Sequence, residues 1–214
     1  MDSNSNQQQG SNHPLTLETS GQIIRWPRFY DALLWVVTRG QEQAFRQLTA
    51  DIVGFQPGES VLDVGCGTGT LALLAKERVG ETGLVFGIEP SARMTDYARR
   101  KAARRRLAID FQPGVIEKLA FPDQTFDVVL CVVVFHHMPD EAKRQGLDEI
   151  ARVLKPGGRL LVVDSNLHLL PSFEKAGFTQ MDSGEIPFFS DYCFALWKIG
   201  SAAISDAVGQ EVGA

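Results

Sequence analysis

A chain of 214 residues that is 44% hydrophobic and 22% charged has the make-up of a globular protein and the length for one well-buried domain. Its formal net charge of −5 argues against a nucleic-acid partner, and no apolar run approaches the ~20 residues that a membrane-spanning helix needs. Cys66, Cys131 and Cys193 are too scattered for a disulfide framework or a zinc site, so reduced thiols and a soluble, cytoplasmic protein are expected.

In chain order, residues 1–18 are polar, rich in Asn, Gln and Ser, and are expected to form a disordered tail without a secretion signal. Residues 19–56, which include RWPRFYDALLWVVTRG, precede the core. Between 57 and 199, strand-like and helix-like segments alternate. SVLDVG reads as a buried strand and TLALLAKERVG as a helix closing on Gly80. GLVFGIEP is a strand stopped by Pro90, and SARMTDYARRKAARRR is a helix opened by a Ser91 cap. LAIDFQPG and FDVVLCVVVF are strands, the second apolar enough to be covered on both faces. PDEAKRQGLDEIARVLKPGG is a helix ending at Pro-Gly-Gly, followed by the strand RLLVVDS. FEKAGF gives a short helix, and FTQMDS and DYCFALWKI two late strands. Residues 200–214 are small-residue-rich and are expected to form a flexible tail. The alternation calls for an α/β fold, a parallel sheet doubly wound with helices on both faces.

The stretch VLDVGCGTGT places Gly65, Gly67 and Gly69 at alternate positions between a strand and a helix. Glycine is costly in regular structure, so three of them imply a close approach to the backbone. Such a loop puts a ligand at the carboxyl edge of the sheet; the alternative is a tight turn with no ligand. A dinucleotide fingerprint would need its third glycine where Thr70 stands, which disfavours a nicotinamide-dependent oxidoreductase.

Asp63, Gly65, Gly67 and Gly69, read as D-x-G-x-G-x-G, resemble motif I of the class I S-adenosylmethionine-dependent methyltransferases. GIEPSARM resembles that family's acidic second-strand motif, FPDQTFDVVLCVVVFHHMPD its fourth-strand block and LKPGGRLLVVD its fifth-strand entry. These blocks cover residues 58–180 in order, and are most similar to the small-molecule branch containing ubiquinone/menaquinone-biosynthesis methyltransferases. The resemblance implies a Rossmann-like seven-stranded sheet of order 3-2-1-4-5-7-6, its last strand antiparallel, with an N-terminal helical lid over 19–56. It implies S-adenosyl-L-methionine as cofactor, a methyl group passed to a small organic acceptor, and S-adenosylhomocysteine as product.

By the same resemblance, Gly65, Cys66, Gly67, Thr68 and Gly69 meet the cofactor's methionine portion, while Asp63 orders the loop or meets its ammonium end. Glu89, followed by Pro90, accepts both ribose hydroxyls. Met94 packs on the adenine or in the core; Val132 lies near the cofactor. Val115 stands where the family often has an Asp that accepts from the adenine amino group, leaving the Ile116 N–H for a ring nitrogen. Phe135, His136 and His137 border the acceptor space, His136 as base or substrate contact, with structural hydrogen bonding as the other reading. No third ligand joins the histidines to suggest a metal. Tyr30, with Trp26 and Trp35, closes over an aromatic or lipid-like acceptor or packs on the sheet.

The basic cluster Arg99, Arg100, Lys101, Arg104, Arg105 and Arg106 reads as a solvated helix end. Many members of the family that the chain resembles carry a long lid insertion after the fifth strand, where here only SNLHLLPS separates Asp164 from Phe173. The resemblance therefore implies an acceptor pocket that is shallow or is completed by the N-terminal helix, a homodimer partner or the acceptor itself. A non-methylating protein that binds the same cofactor, or uses its sulfonium charge for another reaction, is the alternative.

Overall fold

The computed structural model describes residues 36, 40–165, 170–187 and 192–200. Tyr30, Trp26, Trp35, both expected tails except Gly200, and most of the expected lid lie outside the described residues. The elements are α1 (Glu42–Val53), β1 (Ser60–Val64), α2 (Thr70–Val79), β2 (Leu84–Glu89), α3 (Ala92–Arg105), β3 (Asp110–Pro113) and β4 (Phe126–Val132). A single 3-10 turn, Phe135–His137, leads into α4 (Asp140–Val153), then β5 (Leu154–Ser165), α5 (Leu170–Lys175), β6 (Phe178–Glu185) and β7 (Tyr192–Ile199). No helix among the described residues is long and apolar enough to cross a membrane.

The seven strands form one sheet in the order β3-β2-β1-β4-β5-β7-β6. β1 through β5 pair in parallel, and β7 runs antiparallel to both β5 and β6. This is the doubly wound α/β architecture expected from the alternation. Period-two burial divides the side chains between two cores. Leu62, Val64, Val129, Cys131, Leu160, Val162 and Trp197 face α4 and α5, where Phe173 stacks on Trp197 at 4.6 Å between centroids. Val61, Val128, Leu130, Leu161 and Val163 face the other way, onto α1, α2 and α3.

Four local expectations are corrected. The fourth strand stops at Val132 instead of running to Phe135, because Val133 turns into the left-handed region at φ 61°. The helix α4 ends at Val153, and Leu154–Gly158 join β5: Phe126 pairs with Leu154 but Val128 with Arg159, an irregularity that Gly157 accommodates at φ 80°. The third strand starts only at Asp110. Ser91 makes no side-chain cap on α3; its backbone N–H instead donates to Glu89 Oε1.

From β1 the chain winds outward through β2 to β3, then crosses back to β4 on the other side of β1. The loops after β1 and β4 therefore part at the carboxyl edge, the place where a doubly wound sheet opens a crevice.

Candidate functional site

The loop after β1 is a left-handed run, with φ 67° at Gly65, 53° at Gly67 and 76° at Gly69. A Cβ on Gly65 would sit 2.6 Å from Val134 Cγ2, and one on Gly69 would sit 2.7 Å from Phe111 Cζ and 2.9 Å from Ala98 Cβ. Two of the three glycines are thus required by the protein's own packing: one lets the loop after β4 close in, the other lets α3 and β3 dock. The loop is pinned by Cys66 N–H to Ile88 O at 3.0 Å and Gly69 N–H to Cys66 O at 2.8 Å. Lys101 Nζ donates to Thr70 Oγ1 at 2.7 Å and to Thr68 Oγ1 at 3.3 Å, bracing the start of α2. Arg99 bonds the Phe111 carbonyl and Arg105 pairs with Glu77, so part of the basic cluster ties α3 to its neighbours instead of being only a solvated end.

Glu89 ends β2 beside this loop. Gly67 N–H donates to its Oε2 at 3.3 Å and Ser91 N–H to its Oε1 at 3.1 Å. Burial raises the Glu89 pKa above its ordinary value, and these two backbone bonds work against that rise by favouring the ionised form. A carboxylate has roughly four acceptor positions, and two remain for a further pair of donors. Asp63 lies at 3% exposure on the α1–α3 side of β1. Burial pushes its pKa up to about 7, opposed by the positive charge of Arg46 on α1 and by the Ala72 N–H in the first turn of α2. Asp63 Oδ2 is buried and has no hydrogen-bond partner. Burial, with the charges of Asp63 and Glu89 nearby, keeps the Cys66 thiol protonated.

Met94, Ile116 and Val132 are buried apolar side chains, and Val115 is half-buried with its carbonyl accepting from Lys118 N–H. The Val115 side chain offers no acceptor. Pro90 is half-buried at the turn into α3.

Across the seam the loop after β4 carries its own constraints. A β-branched residue at positive φ costs on the order of 1–3 kcal/mol, and Val133 is held there by its N–H to Val163 O at 2.7 Å. Asp164, 1% exposed near the end of β5, accepts from Val134 N–H at 3.1 Å and His136 N–H at 3.3 Å through Oδ2. Its Oδ1 lies 2.9 Å from His136 Nδ1. The His136 side chain stays 24% exposed, its ring 3.7 Å from that of His137 between centroids. Burial, then the neighbouring His136, lower the His137 pKa, with Asp164 pulling the other way. Phe135 points elsewhere: its ring is buried, edge-on to Phe173, in the core under α4 and α5. Among the described residues no group of three or more His, Cys, Asp or Glu is arranged to hold a metal ion.

The structure thus brings Asp63, the glycine loop and Glu89 together on one side of the crevice and His136 with His137 on the other. Asp164 is the residue that reading the sequence missed. Its signal was its place: a lone acid ending the strand that neighbours the one before the histidines. The set of acceptors suits S-adenosylmethionine on structural grounds, since a half-satisfied Glu89 matches a vicinal diol and an orphaned Asp63 oxygen matches a cation.

Residues 61–158 match the family model described as "Methyltransferase domain". The chain is 35% identical over 150 residues to the demethylmenaquinone methyltransferase of Shouchella clausii, covering 70% of this chain and 63% of the relative. It is 30% identical over 181 residues to the ubiquinone/menaquinone biosynthesis C-methyltransferase UbiE of Escherichia coli, covering 83% and 66% respectively. It therefore spans just under two thirds of the length of these relatives. The crystal structure of a SAM-dependent methyltransferase from Aquifex aeolicus superposes with a TM-score of 0.63 at 25% identity, covering 72% of this chain and 88% of that one. With the sheet order, the glycine loop and the acid ending β2 already in place, residues 61–158 carry a methyltransferase domain, and the chain resembles the class I S-adenosylmethionine-dependent methyltransferases and, among them, the ubiquinone/menaquinone-biosynthesis enzymes.

Proposed function

We propose that this protein transfers the methyl group of S-adenosyl-L-methionine to a small organic acceptor and releases S-adenosylhomocysteine. The observation that carries the reading is Glu89, oriented by Gly67 and Ser91 N–H groups at the end of β2 with acceptor capacity to spare. In this reading Glu89 takes both ribose hydroxyls, with Pro90 shaping the turn beside it. The loop of Gly65, Cys66, Gly67, Thr68 and Gly69 faces the amino-acid tail, and Asp63 receives its ammonium group. Met94, Val115, Ile116 and Val132 form the apolar wall for the adenine. The cofactor supplies an electrophilic methyl on a sulfonium; the chain's part is to hold donor and acceptor in line, which lowers the barrier by positioning.

The acceptor is a small aromatic or lipid-like molecule, a reduced quinone being the class suggested by the names of the relatives. Tyr30 and His137 contribute to its site. Three free cysteines, two of them buried, support a cytoplasmic setting.

Calorimetry with S-adenosylhomocysteine and NAD side by side tests the binding half: selective binding of the former is expected, and selective binding of NAD would overturn the assignment. Radiolabelled cofactor with cell extract tests the transfer half. Labelled product is expected, whereas binding without any labelled product would favour a non-methylating role.

A further inference from the structure

We infer that Arg46, on α1, binds the carboxylate of the cofactor's amino-acid tail, so that the two charges of the tail are read by two side chains, Arg46 and Asp63. This deepens the methyl-transfer reading and rests on it. Arg46 Nε and Asp63 Oδ2 are both buried, and neither has a hydrogen-bond partner. One is a donor on a cation and the other an acceptor on an acid, yet they are not spent on each other. Among the described residues no hydrogen bond or ion pair joins the two side chains. They are neighbours all the same, since Arg46 is the charge that acts most strongly on Asp63. An α-amino acid carries its ammonium and its carboxylate on one carbon, so the groups that read them must lie side by side without neutralising one another.

The helix α1 holds Arg46 in place without using it up. Phe45 roots that helix in the core shared with α2 and α3, and the Arg46 guanidinium carbon lies 5.5 Å from the Phe45 ring centroid. Arg46 Nη2 lies 3.7 Å from Glu42 Oε1 one turn earlier, an ion pair too long for a hydrogen bond. The two side chains are 16% and 18% exposed. An ion pair that only decorates a helix stays in water, where it is worth little. A guanidinium drawn inward with its Nε unpaired costs free energy that a bound anion would recover.

The peptide loop, for its part, has little left to offer a carboxylate. Cys66 N–H goes to Ile88 O, Gly67 N–H to Glu89 Oε2 and Gly69 N–H to Cys66 O. The Ala72 N–H at the start of α2 goes to Asp63. Glu89 and Asp63 are both acids, so an anionic group in this part of the crevice needs a cation beside it. Of the other cations near the loop, Lys101 bonds the Thr68 and Thr70 hydroxyls, and Arg99 bonds Asp96 and the Phe111 carbonyl. Arg46 is the cation with donors still to give, and its planar fork matches a carboxylate through two parallel hydrogen bonds.

Calorimetry on the full chain tests this with two ligands that differ in one group. They are S-adenosylhomocysteine and its decarboxylated analogue, which keeps the nucleoside, the thioether and the ammonium. The unaltered chain is expected to prefer the first roughly 10–100-fold, the worth of a charge-assisted contact. Arg46→Gln is expected to lower S-adenosylhomocysteine affinity by about that factor and to leave the analogue within about threefold, so that the preference all but disappears. If Arg46→Gln fails to fold, Arg46→Met, which keeps an apolar stem over Phe45 and removes the buried donors, carries the same test. An arginine that merely held α1 in place would, once replaced, weaken both ligands alike, and that result overturns the proposal. So does an unaltered chain with no preference, or a preference that Lys101→Gln abolishes and the Arg46 variants leave intact. Failure of S-adenosylhomocysteine to bind the unaltered chain at all would instead overturn the methyl-transfer reading beneath it.

Discussion

At the ends of β1 and β2, binding groups are set by the backbone: main-chain N–H groups orient Glu89, and a loop of glycines fixes where they point. At the ends of β4 and β5, side chains are set by another side chain, with Asp164 gathering the backbone and ring of His136. The first arrangement suits a ligand that never changes, because peptide groups cannot be swapped by mutation. The second can be retuned by one substitution. The two meet where Val134 lies against the space that a side chain on Gly65 would need.

The largest effect should come from the backbone-set side. Glu89→Ala removes the proposed acceptor for two hydroxyls and leaves two N–H groups unpaired. With charge-assisted bonds contributing about 1.5–3 kcal/mol each, S-adenosylhomocysteine affinity should fall roughly 10²–10⁴-fold in calorimetry. An unchanged affinity would remove Glu89 from the site.

A smaller effect tests the seam. Gly65→Ala combines a clash 2.6 Å from Val134 Cγ2 with a positive φ, and should cost roughly 2–4 kcal/mol in urea unfolding. Val134→Ala removes the clash but not the φ strain, so the double variant should recover part of the loss, with a coupling of about 1–2 kcal/mol. Strict additivity would mean that the two loops do not constrain each other.

The smallest expected effect concerns Asp63. Its folded pKa of about 7 lies above the unfolded value, so the folded state holds the extra proton and stability declines as pH rises from about 4 through 7. The slope contributed is at most about 1.4 kcal/mol per pH unit, and Asp63→Asn should flatten it. An ammonium placed beside Asp63 favours ionisation, so saturating S-adenosylhomocysteine should flatten it too. A slope untouched by ligand would place the ammonium elsewhere.

These contrasts also explain what the sequence made legible. The alternation of strands and helices and the glycine loop could be read because local spacing encodes them, whereas the sheet order and the place of Glu89 came only with the family resemblance. The reason for Gly65 and Gly69 was not legible, because Val134, Ala98 and Phe111 reach them only in the folded chain. Asp164 was hidden similarly, its partner His136 being 28 residues away and joined to it only by the pairing of β4 with β5. Phe135 and His136 are adjacent in sequence, yet one turns into the core and the other stays partly exposed. Lys101, read as surface charge, braces Thr68 and Thr70 through a contact 31 residues long in the case of Thr70.

The central claim is that the peptide loop after β1 and the acid ending β2 together hold S-adenosylmethionine. A crystal structure of the chain with S-adenosylhomocysteine tests it most directly. The account predicts both ribose hydroxyls on Glu89, the amino-acid tail along Gly65–Gly69 and the ammonium at Asp63 Oδ2. A ribose turned away from Glu89, or a ligand bound outside the crevice between β1 and β4, would contradict it.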